Sequence, residues 1–158
     1  MSKVFHYAPW SYLPKIVTSG ALQPSNAAAN GEKPMLWFSA HQRWEPTATK
    51  MLRLSNGAYR QMTLQEQSDR YGCIRFGLPA ADPRLLDWGR TCALAGTSRK
   101  VRRNLELAGK KRGANPQQWF ATAQPVSLTE LELEVFVEDA WGPADPAEMA
   151  EVWTRLRG

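Results

Sequence analysis

Val4-Phe5-His6-Tyr7-Ala8, Ser11-Tyr12-Leu13-Pro14-Lys15-Ile16-Val17-Thr18-Ser19-Gly20 and Met35-Leu36-Trp37-Phe38-Ser39 follow one another in the first forty residues. The first stretch, apolar and aromatic between polar neighbours, predicts a strand over residues 3–8. Ser11 is placed to cap a short helix through about Thr18. Pro14 falls in its first turn, where a missing N–H costs little, and Gly20 suits the C′ position. The third stretch is apolar without interruption up to its serine, and reads as a second strand buried on both faces. Residues 24–34 between them read as a mobile surface loop.

Outward from this core the signals thin. Residues 40–53 read as a loop leading into a short helix, which Glu45 and Pro46 would start. Residues 54–70 show no clean period and read as a loop or lid. Residues 71–76 predict a third strand, ended by Gly77 and Pro79, and Pro83 to Trp88 reads as irregular. Ser98 caps a predicted surface helix over residues 98–109, and Asn115-Pro116 opens a turn into residues 117–120. Leu131 to Val137 predicts a strand whose period of two places Glu130, Glu132 and Glu134 on one face. Pro143 and Pro146 break the chain before a final helix over residues 148–157. No repeat and no dividing linker is visible, and there is no βαβ regularity. The expectation is one α+β domain over residues 1–158.

Composition narrows the functional classes. With 43% hydrophobic and 22% charged residues the chain reads as globular rather than disordered. Cys73 and Cys92 form no Cys-x-x-Cys, and His6 and His41 lack ligand spacing to them, so no metal site is expected. The opening residues do not resemble a secretory leader, and no run nears the roughly 20 apolar residues of a membrane helix. A soluble, cytoplasmic chain that does not enter membranes is expected. No Gly-rich phosphate loop or Gly-x-Ser-x-Gly elbow is present. The net charge is +5. Arg99, Lys100, Arg102, Arg103, Lys110, Lys111 and Arg112, less Glu106, put +6 into residues 99–112 and leave the remainder near neutral. That concentration suggests a surface for phosphate backbones.

The order of a histidine ending a short apolar run, a short helix closed by glycine, and an aromatic-serine strand end resembles the start of ADP-ribosyltransferase domains. The resemblance covers residues 4–39, with a weaker match over residues 131–138. It implies an α+β fold with a split mixed sheet and short helices around an NAD cleft, and an NAD-dependent mono-ADP-ribosyltransferase acting on a nucleic acid or protein. It places His6 at the NAD ribose with Tyr7 beside it, Trp37 or Phe38 against nicotinamide, and Ser39 on the catalytic acid. That acid is expected late in the chain, at Glu134 or Glu132, where a carboxylate steadies the oxocarbenium-like centre. Glu45 is a secondary candidate. Arg75, mid-strand, needs a carboxylate partner or the NAD pyrophosphate. Such enzymes serve as toxin, defence or phage-accessory proteins, which would bring an antitoxin or inhibitor as partner. Ala8 departs from the polar residue many relatives carry. The related RNA 2′-phosphotransferases would show arginines near the histidine, which are missing here. The competing reading is a non-catalytic nucleic-acid-binding protein that uses the basic helix.

Overall fold

The computed structural model describes residues 2–25 and 31–157, so positions 26–30 of the loop expected over 24–34 lie outside the described residues. In chain order the strands are β1 (Lys3–Pro9), β2 (Ala21–Leu22), β3 (Leu36–Ser39), β4 (Met51–Arg53), β5 (Tyr59–Gln61), β6 (Cys73–Pro79), β7 (Leu86–Asp87), β8 (Trp119–Thr122), β9 (Val126–Ser127), β10 (Glu132–Val137) and β11 (Ala140–Ala144). The α-helices are α1 (Leu13–Ser19), α2 (Leu64–Tyr71), α3 (Trp88–Ala95), α4 (Arg99–Lys111) and α5 (Pro146–Arg157).

Seven strands form one sheet in the order β11-β10-β6-β1-β3-β8-β7. The fold is α+β, as expected, but every pairing in this sheet among the described residues is antiparallel, not mixed. β6 lies third in that order, between β10 and β1. It pairs with β1 from Lys3↔Pro79 to Pro9↔Cys73, and with β10 from Glu132↔Gly77 to Val135↔Ile74. Every residue from Cys73 to Leu78 is buried.

The sheet nearly parts between β1 and β3, which share the single pair Phe5↔Ser39. Continued register would set Tyr7 against Trp37. Instead His6 Nδ1 bonds the Trp37 carbonyl at 2.7 Å. A side chain thus fills a hydrogen bond the ladder no longer makes.

Alternation sends Val4, Leu36, Phe38, Ile74, Phe76, Leu78, Leu133 and Val135 to one face. There they pack on Leu13, Ile16 and Val17 of α1 and on Met149 and Ala150 of α5. The opposite face carries Phe5, Tyr7, Ser39, Arg75, Trp119 and Glu134 in register. Trp37 lies on this second face and is 41% exposed, so β3 is not buried on both sides as its apolar run suggested.

Local signals explain most boundaries. Gly20 closes α1 at φ 76°, a conformation glycine adopts without a Cβ penalty. Ser11 does not cap α1. It sits in a 3-10 turn over Trp10–Tyr12, and α1 starts after Tyr12. Of residues 54–70, read as a loop or lid, 59–61 form β5, which pairs with β4, and 64–70 belong to α2, which opens on a reciprocal Thr63/Glu66 capping box. Asp87 caps α3 within a segment read as irregular, and Ser98 caps α4 as expected. No helix among the described residues is long and apolar enough to cross a membrane.

Candidate functional site

A pocket of about 450 Å³ opens beside the parting of β1 and β3. Phe5, His6 and Tyr7 come from β1, and Trp37, Phe38 and Ser39 from β3. Glu45, Thr47 and Ala48 come from the turn that follows, and Trp88 and Trp119 from α3 and β8. Leu105, Ala108 and Gly109 come from α4, with Arg112 just beyond its end. Spacings of three and four residues put these four positions on one helix face.

Glu45 is the chemical centre of the wall. It is 5% exposed. Its Oε1 accepts from Ser39 Oγ and from the Trp119 indole N–H, each at 3.0 Å. Its Oε2 accepts from the Thr47 backbone N–H at 2.9 Å and the Thr47 hydroxyl at 2.8 Å. The four donors match the roughly four lone-pair sites of an ionised carboxylate. All four donors are neutral, and no ion pair to Glu45 exists among the described residues. The result is a buried carboxyl group held by four hydrogen bonds and walled by rings.

The rings are arranged around that carboxyl group. Trp88 meets Trp119 edge-on with centroids 5.0 Å apart, and Trp37 lies 5.8 Å from Trp88. Trp88 is itself fixed by its indole N–H to Glu106 at 3.1 Å. Trp119 can approach so closely because position 109 is glycine: a Cβ there would stand 2.6 Å from two atoms of its ring. Arg112 gives a hydrogen bond to the Thr49 carbonyl, while its buried Nε lacks a hydrogen-bond partner among the described residues.

His6 and Tyr7 on β1 respond to burial. It pulls the His6 imidazole below its ordinary range, and the Trp37 carbonyl partly counters it. In the neutral ring Nδ1 donates to that carbonyl, which leaves Nε2 as an acceptor. Burial raises the Tyr7 hydroxyl, with the neighbouring Arg75 opposing the shift.

His6, Tyr7, Trp37, Phe38, Ser39 and Glu45 therefore share one pocket. Glu132, Glu134 and Arg75 do not line it. β10 is separated from β3 by β6 and β1, so its acids stand three strand spacings from Ser39, roughly 14 Å. Glu134 accepts from Arg75 Nε at 2.8 Å, and Glu132 pairs with Lys3. Arg75 also reaches the Gln42 carbonyl at 2.7 Å, and its guanidinium lies between the rings of Phe5, 3.7 Å away, and Trp141, 4.3 Å away. The acid that Ser39 orients is Glu45, six residues on, rather than one on the late strand. Trp88, Gly109 and Trp119 line the pocket although no motif in the sequence marks them as site residues. A glycine inside a helical pattern was the one signal for the close approach.

The basic segment divides. Arg102 pairs with Glu106 at 3.3 Å, and Arg112 turns to the pocket. Arg99, Lys100, Arg103, Lys110 and Lys111 are exposed. Val101, Leu105 and Leu107 do not dock α4 as a set: Leu105 is 45% and Leu107 51% exposed, and Gly109 makes the close contact. No group of three or more His, Cys, Asp or Glu side chains placed to hold a metal occurs among the described residues. Compared with protein-family models, curated proteins and solved structures, the chain finds no match.

Proposed function

We propose that the chain is an NAD-dependent mono-ADP-ribosyltransferase acting on a macromolecular target, with Glu45 as its catalytic carboxylate. The Ser39–Glu45 hydrogen bond carries this reading. The resembled domains use such a serine to orient the acid, and here the acid at its hydroxyl is buried and ring-walled, in one pocket with His6 and Tyr7. The residues suit half of a dinucleotide. About 450 Å³ is within the range of small-molecule pockets, and tryptophan faces suit a planar ring. The unpartnered Nε of Arg112 supplies a donor and positive charge for an anionic group.

NAD brings a glycosidic C–N bond whose breaking leaves positive charge on the ribose carbon. Glu45 opposes that charge with a fixed negative one. Ser39, Trp119 and Thr47 hold it aimed before reaction, so little reorganisation is needed in the transition state. In the neutral His6 ring Nε2 would accept a hydrogen bond from a ribose hydroxyl, and the indoles exclude water that would otherwise screen Glu45.

Labelled NAD with a cell lysate, and NAD hydrolysis alone, test the reading. Glu45→Gln is expected to lower turnover on the order of a hundredfold, comparable to losing one preorganised electrostatic group, with NAD affinity by calorimetry little changed. Glu45→Asp keeps the charge and should retain part of the rate. An active Glu45→Gln beside an inactive, folded Glu134→Gln would return the acid to β10. Undetectable NAD binding by the wild type would end the transferase reading.

A further inference from the structure

Five basic residues of α4 are left over once the pocket is built. Arg99, Arg103 and Lys110 share one face by their spacing, and Lys100 and Lys111, eleven residues apart, lie beside them. All five are exposed, and no ion pair to any of them exists among the described residues. The helix's one acid, Glu106, is turned to Trp88 and Arg102 and does not break the row. Leu105, Ala108, Gly109 and Arg112 occupy the opposite side. α4 is thus a two-faced element, with a pocket wall inside and a single-sign stripe outside.

We infer that this outer stripe is a binding surface for the phosphate backbone of a nucleic acid. From Arg99 to Lys110 the helix rises roughly 16 Å. A nucleic-acid strand presents a phosphate about every 3.4 Å along a duplex axis, so roughly five phosphates face five cations. A membrane surface fits less well. An interfacial helix needs an apolar face beside its basic one, and here the inner face is occupied by the pocket while Leu107 alone projects among the cations. An acidic protein carries its charge in separate carboxylates, whereas a phosphate backbone presents a charge at every step along the length of the stripe. Contacts to phosphate carry no sequence information, so binding through them is expected to be insensitive to sequence. It rests on the stripe alone and stands whether or not the pocket turns over NAD.

Fluorescence anisotropy with labelled 20-nucleotide single strands and duplexes, titrated with salt, tests this. For five contacts the slope of log K against log salt should be about −3.5 on single strands and −4.5 on duplex. The latter is a roughly 500-fold loss between 50 and 200 mM salt. Lys100→Gln with Arg103→Gln and Lys110→Gln should flatten the slope by about 2.1 to 2.7. A charge-matched control, Arg53→Gln with Arg70→Gln and Arg155→Gln, removes exposed cations elsewhere and should leave the slope unchanged. Circular dichroism checks that both triple variants are folded. Equal losses in the two variants would reduce the effect to net charge and overturn the site. So would wild-type binding that is undetectable at 50 mM salt, or that is matched by polyglutamate or by phosphatidylserine vesicles.

Discussion

At Glu45 a carboxyl group is withdrawn from water with no ion pair to it among the described residues, a placement that costs several kcal/mol unless hydrogen bonds replace the lost solvent. Four donors do so, and two of them belong to Thr47, two residues away. This half of the arrangement is local: Glu45 caps the 3-10 turn Pro46–Ala48, and the helix start read at Glu45-Pro46 is that cap. The other half, Ser39 and Trp119, comes from strands adjacent in space. His6 shows the same division. Its apolar run located it at the site, but its tie to the Trp37 carbonyl depends on how β1 and β3 part. Because burial lowers the His6 pKa, the folded state takes up a proton less readily than the unfolded chain, whose value is near 6.5. Stability then rises with pH across that window, and the His6 contribution is lost as pH falls below 6.5. Thermal melts from pH 7.5 to 5 should show a steeper decline in wild type than in His6→Gln, which keeps a donor for the carbonyl. Superimposable slopes would mean that the imidazole gains its proton unhindered.

Among the elements, α4 couples stability to the site. A glycine inside a helix ordinarily costs about 1 kcal/mol relative to alanine, so Gly109→Ala should stabilise α4 if nothing opposed it. The opposing term is the Trp119 ring, 2.6 Å from the added carbon and backed by β8. Overpacking of that kind costs about 1–3 kcal/mol, so the contact should match or exceed the propensity gain. Gly109→Ala is expected to destabilise by about 1 kcal/mol net and shift tryptophan emission as the indole moves off Glu45, and, on the proposed function, to lower NAD turnover. A raised melting temperature with unchanged emission would show that α4 yields freely. Helix α4 was legible because Ser98 and the basic run mark it. The Thr63-x-x-Glu66 box that starts α2, and Asp87 and Gly96 at the ends of α3, were equally local signals, outweighed in the reading by the lack of a clean apolar period. β7 and β8 are short and draw their burial from neighbours, so period alone could not identify them.

For the whole molecule, the sheet predicts where stability resides. β6 is bonded on both sides and buried from Cys73 to Leu78, while the β4–β5 hairpin pairs only with itself among the described residues. Amide hydrogen exchange should be slowest at Ile74 to Leu78, near the global unfolding free energy, and fastest in residues 51–61, since an isolated two-stranded hairpin is marginal in water. Uniform protection across both would refute this ranking. The sequence by itself determined the α+β class, the opening strand and glycine-closed helix, the capped basic helix and the position of His6 and Ser39. Caps, turns and periodicity are encoded within a few residues of where they act. Tertiary structure alone decided the antiparallel strand order, which sets β10 and its acids apart from Ser39 and hands Glu134 to Arg75. It also decided which cations of α4 face outward and which one meets the pocket. Those outcomes follow from pairings between residues far apart in the chain, and a spacing pattern within one segment holds no information about which distant strand will lie beside it.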